Sequence, residues 1–129
     1  MTAGHLGSEA HAVPPLDDDL AGCLEDIQGV HAGITLIADG LKLLALSRLT
    51  ADETQTVIAT LAGSAGADVV SACGHLIARL TSHANVATRH MPREQAKQVQ
   101  HRGEVAQFHL LDPDLHQPAS EASAAITGT

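Results

Sequence analysis

Leu46-Ser47-Arg48-Leu49-Thr50-Ala51-Asp52-Glu53 is the stretch on which the fold turns. Its second half is a capping box: the Thr50 hydroxyl is placed to accept from the Glu53 amide while the Glu53 carboxylate accepts from the Thr50 amide. Two of the N–H groups that every helix start leaves unpaired are thereby satisfied, so a helix begins at residue 51 and a turn precedes it. On the N-terminal side of that turn an apolar row runs Leu20, Leu24, Ile27, His31, Ile34, Ala38, Leu41 and Ala45, in alternating steps of four and three. On the C-terminal side, Ile58, Ala62, Ala65, Val69, Ala72, Leu76 and Arg79 repeat the same steps. Two helical periodicities joined by a short turn predict an all-α fold built on an antiparallel helical hairpin, with arms over about 17–48 and 51–88.

Further from the turn, the pattern weakens in both directions. Asp17, Asp18 and Asp19 supply a cap and negative charge for the positive end of the first helix dipole. Pro14-Pro15 closes a Gly-, Ala- and His-containing segment, so residues 1–16 are expected to be a flexible arm. Gly63-Ser64-Ala65-Gly66 is the point at which the second arm would break. The periodicity stays in phase on either side of it, which favours a continuous helix. Residues 89–111 form a basic segment expected as a short helix or a strand: Ala106, Phe108 and Leu110 alternate with Gln107 and His109, while Gly103 ends the helix-forming stretch. Residues 112–129, rich in Pro, Ser, Ala and Thr, are expected to be a disordered tail.

Composition limits how such a hairpin can be stabilised. The 129 residues suffice for one domain. With a single Phe, no Trp and no Tyr, the core must be built from Leu, Ile, Val and many Ala, which offer little buried area per residue. The first arm also carries a second apolar row, in which Val30, Ile37 and Leu44 flank the first. One antiparallel neighbour covers only about one such stripe. A second copy is therefore expected to cover the other, giving a homodimeric four-helix bundle with Val30, Ile37 and Leu44 at its interface.

Charge and cysteine content narrow the function classes. The net charge of −8 argues against a surface made for nucleic acid or anionic membrane as a whole. Residues 1–53 hold nine acidic and two basic side chains, whereas 79–103 hold Arg79, Arg89, Arg93, Lys97 and Arg102 against Glu94 alone. Thr54 to Ala78 is long enough to span a bilayer. It is nonetheless rich in small residues and places Asp68 near its centre, so a buried helix is expected and no membrane span. Cys23 and Cys73 suit a reducing compartment. The N-terminus lacks the basic and apolar regions of a secretory signal, so a cytoplasmic location is expected.

No phosphate-binding glycine loop, nucleophile elbow or H-E-x-x-H pair occurs, and no catalytic residue, cofactor or metal is assigned. Folding the arms about residue 49 brings His75 near Cys23 and Cys73, but free cysteines at such positions ordinarily pack as small apolar groups. The same register sets His31 opposite Asp68, a buried polar pair with no nucleophile beside it. Arg89, Arg93, Lys97 and Arg102 suit contact with a partner or with phosphates, although no aromatic side chain interleaves them. The expected function is that of a non-enzymatic oligomeric interaction or scaffold protein that presents its basic segment and tails to a protein partner. The alternative is a small nucleic-acid-binding or regulatory protein that uses residues 89–102 on a dimeric helical scaffold. Replacing Thr50 with Ala removes one half of the capping box and is expected to lower stability by about 1 kcal/mol in denaturant unfolding.

Overall fold

The computed structural model describes residues 12–127, which divide into an N-terminal unit ending at Leu49 and a C-terminal unit beginning at Thr50. Every regular element among the described residues is helical. None of these helices is long and apolar enough to cross a membrane.

The N-terminal unit holds α1 (Asp18–Ile27) and α2 (Ala32–Leu46), which pack against each other. Asp17 caps α1 by accepting from the Leu20 amide at 3.2 Å, as the acidic triplet suggests. The expected single helix over 17–48 is interrupted. Gly29 takes a left-handed φ of 77°, which an L side chain would resist, and the chain reverses between Gln28 and His31. The reversal is held locally: the Gly29 amide donates to Thr35 Oγ1 at 3.1 Å, and Gln28 Nε2 donates to Asp39 Oδ1 at 3.0 Å. Leu24 and Ala38, members of one sequence row, become the buried residues of two successive helices.

The C-terminal unit contains α3 (Ala51–Ala62), α4 (Val69–Leu80), α5 (Val86–Arg89), α6 (Arg93–Leu111) and α7 (Pro113–Thr127). Both halves of the capping box at α3 are formed, at 3.0 and 3.1 Å. The backbone and hydroxyl of Thr50 hold the Glu53 carboxyl below the usual carboxylate range. The expected second arm over 51–88 is likewise broken. Gly63 ends α3, Gly66 turns the chain with a φ of 87°, and Asp68 caps a new helix. Phase continuity across the break comes from the loop length and not from a continuous helix.

Two further expectations change downstream. Residues 104–110 are helical, because Gly103 lies inside α6 at a helix crossing and does not end the segment. Residues 113–127 of the expected disordered tail form α7: Asp112 precedes Pro113, whose fixed φ suits a first helical turn, and the Asp112 carboxylate accepts from the Asp114 amide at 3.0 Å. The first sixteen residues were expected to be a flexible arm; residues 1–11 lie outside the described part, and 12–16 carry no regular structure.

Packing in this unit runs along two pairs, α4 with α6 and α3 with α7, with α3–α4 and α6–α7 also in contact. Small residues set the spacing. A Cβ at Gly74 would lie 3.2 Å from Leu110 Cβ, and one at Gly103 would lie 2.6 Å from Thr81 Cβ. The row Val69, Ala72, Leu76 and Arg79 faces outward, and α4 turns Ser71 and Gly74 inward instead. Gly103→Ala, although it favours helix intrinsically, must push α6 away from α4. It is expected to destabilise the protein by about 1–3 kcal/mol, measured as a fall in the denaturant midpoint.

Candidate functional site

The site with the densest chemistry is the buried cluster around Asp68 and His116. Asp68 is the N-cap of α4, and its Oδ1 accepts from the Ser71 amide at 2.8 Å. Its Oδ2 accepts from the Ser64 amide at 2.9 Å, which closes the Gly63–Ala67 loop back on the helix start. The Ser71 hydroxyl in turn accepts from the Gly66 amide at 2.8 Å, fixing the left-handed turn. Asp68 is therefore built in by its own loop before any distant residue arrives.

The distant residue is His116, on the first turn of α7, only 2% exposed. Its Nδ1 lies 2.7 Å from Asp68 Oδ2 and 3.0 Å from the Ala62 carbonyl, and its Nε2 faces the Leu110 carbonyl. Every partner of both ring nitrogens is an acceptor. A neutral imidazole would set a lone pair against one of them, so the arrangement fits the doubly protonated ring. The Leu110 carbonyl raises the His116 pKa from its ordinary value; burial opposes this, and Asp68 and the Ala62 carbonyl reinforce it. For Asp68, burial alone would push the pKa up. Hydrogen bonds from Ser71, Ser64 and His116 outweigh it and bring the value down to about 2.

Both ring nitrogens and both carboxylate oxygens are engaged, and both side chains are buried. What it does is join segments: the end of α3, the start of α4, the end of α6 and the start of α7 meet at one imidazole. Ser123 Oγ, further along α7, donates to the Gln55 carbonyl at 3.0 Å and secures the same helix to α3.

The residues singled out from sequence fall elsewhere. His31 is exposed and caps α2, its Nδ1 accepting from the Gly33 amide at 2.9 Å; the buried imidazole beside Asp68 is His116. His116 was missed because Pro113 and Pro118 mark the segment as irregular. The Asp112-Pro113 start, followed by Leu115, Ala119, Ala122 and Ile126 at helical spacing, was the available signal. Cys23 and Cys73 are exposed, and His75 Nδ1 lies 3.0 Å from Gln107 Nε2. Among the described residues no three His, Cys, Asp or Glu side chains converge as a metal site.

Arg89, Arg93, Lys97 and Arg102 are all exposed. Arg93 and Lys97, four apart on α6, share a face, whereas Arg102 points about half a turn away and lines a groove with Ile77 of α4 and Thr81, which caps that helix. Arg89 Nε donates to the His83 carbonyl at 3.3 Å. In the N-terminal unit Val30 is 72% and Ile37 44% exposed, and Leu44 is half-buried.

Comparison of the chain with protein families, with curated proteins and with solved structures returns no match.

Asp68→Ala removes a helix cap and strands the His116 charge among carbonyls. It is expected to destabilise the C-terminal unit well beyond the loss from Thr50→Ala. In the unaltered chain the Asp68 contribution is full above the unfolded carboxylate value of about 3.8 and disappears as pH falls through about 2, which an acid titration of helicity would follow.

Proposed function

We propose that the protein is a non-enzymatic interaction protein that self-associates through the outward face of α2 and presents its basic segment, Arg89, Arg93, Lys97 and Arg102, to a protein partner. One observation carries the reading: the most apolar helix among the described residues directs large aliphatic side chains into solvent. Leu36 is 72% and Leu43 69% exposed, and Ile34, Ile37 and Leu46 accompany them. At about 100° per residue, Leu36 and Leu43 form one row, Ile37 and Leu44 a second, and Gly33 and Gly40 lie in the furrow between them. A Cβ at Gly40 would meet nothing within 4 Å, so the furrow is open to a close helical neighbour.

A second copy supplies a neighbour with a matching apolar row. Burying Leu36, Ile37 and Leu43 of two copies is worth about 1.5–3 kcal/mol per side chain. The total is on the order of 10 kcal/mol, comparable with the 4–15 kcal/mol cost of immobilising two chains. Such an interface is self-complementary under two-fold symmetry and dissociates on dilution. Ile37 and Leu44 line one side of the furrow and Leu36 and Leu43 the other, so the proposed homodimer centres on Gly40, and Val30, which precedes α2, lies outside it.

Sedimentation equilibrium over a concentration series tests the reading. A dimer that forms as the concentration rises from micromolar to millimolar supports it, and a folded monomer throughout that range overturns it. Ile37→Glu, which puts a charge on the apolar face, is expected to give a monomer with unchanged helicity, because Ile37 is already half in solvent within the single chain.

A further inference from the structure

We propose that α7 is a pH-gated arm, latched onto α3, α4 and α6 by the doubly protonated His116 ring and released when that ring loses a proton. The geometry makes the latch all-or-none. Nδ1 faces Asp68 Oδ2 and the Ala62 carbonyl while Nε2 faces the Leu110 carbonyl. Deprotonation at either nitrogen therefore turns an attraction into a lone-pair repulsion. At 2% exposure the ring has no water to turn to without α7 moving.

The charges around the ring leave Asp68 as the controlling group. On the α3 side the partner is the Ala62 carbonyl, and on the α6 side it is the Leu110 carbonyl. Asp112, in the connection, accepts from the Asp114 amide, and Glu121, one helical turn and a half further along α7, accepts from Gln117 Nε2 at 2.9 Å. Asp114 is exposed, and the ring of His109 lies edge-on to Phe108, 5.8 Å between centroids. Away from His116, α7 packs along α3, with the Ser123 hydroxyl donating to the Gln55 carbonyl and the backbone of α7 so close to Gly63 that a Cβ there would come within 3.0 Å of Ser120 N.

The direction follows from the raised folded-state value of His116. Attachment is complete below the unfolded imidazole value of about 6.5 and is lost as pH rises through the higher folded value, so the arm opens on the alkaline side. Release uncovers the α3 surface that α7 occupies, a change separate from association through α2.

Nitrogen-detected NMR of the full-length chain tests the latch without a substitution. His116 is expected to keep both ring protons at pH values above about 6.5, and the backbone signals of residues 113–127 are expected to shift with the same midpoint as its deprotonation. Asp68→Asn, which keeps a helix cap but removes the charge, is expected to lower that midpoint by about one pH unit or more. His116→Gln is expected to make protease cleavage within 113–127 independent of pH over the same range. A His116 ring that loses its second proton at or below the ordinary imidazole value of about 6.5, or signals of 113–127 that do not move as the ring titrates, would overturn the proposal.

Discussion

The Asp68 carboxylate accepts from the Ser64 amide, the Ser71 amide and His116, and each bond ties down a different part of the C-terminal unit. The Ser64 contact closes the loop after α3, the Ser71 contact starts α4, and the imidazole carries the connection to α7 and the end of α6. Remove the carboxylate and the loop loses its cap, while a buried cation loses its counter-charge. A polar centre of this kind is stable only when complete: no buried side-chain nitrogen or oxygen lacks a partner among the described residues.

That dependence follows from composition. The buried positions of the C-terminal unit are Asp68, Ser71, Gly74, Thr88, Gly103, His116 and Ser123, none of them a large aliphatic residue. Helices separated only by glycine, serine and threonine approach closely, as Gly74 against Leu110 and Gly103 against Thr81 show. Close approach gains dispersion contacts and backbone proximity but leaves no space for Leu and Ile between the helices. The larger aliphatic side chains are left half-buried or turned outward, Leu76 and Leu80 on α4 and Leu36 and Leu43 on α2 among them. The same composition that makes the inside polar and tight makes parts of the outside apolar.

Local chemistry was legible wherever a few adjacent residues decide the outcome. The capping box at Thr50 and Glu53, the Asp17 cap and the helical character of the chain can be read from spacing alone, because those hydrogen bonds close within one turn of backbone. The breaks at Gly29 and Gly66 were not. A heptad row continues in phase whether the helix runs straight through or turns back after a loop of suitable length. In the second case Leu24 and Ala38 are buried on two successive helices that pack together instead of lining one helix. Periodicity reports which residues want burial, not which partner buries them.

The sequence by itself determined that the protein is helical, where its strongest helix start lies, and that its core would be thin, since each of these follows from side-chain type and short-range spacing. The tertiary structure alone decided that Asp68 pairs with His116, forty-eight positions away, and that residues 113–127 become a helix against α3. It also decided which face of α4 looks inward. These outcomes depend on where the chain reverses, and reversal at Gly29 and Gly66 is a choice among conformations that glycine leaves nearly equal until distant hydrogen bonds select one.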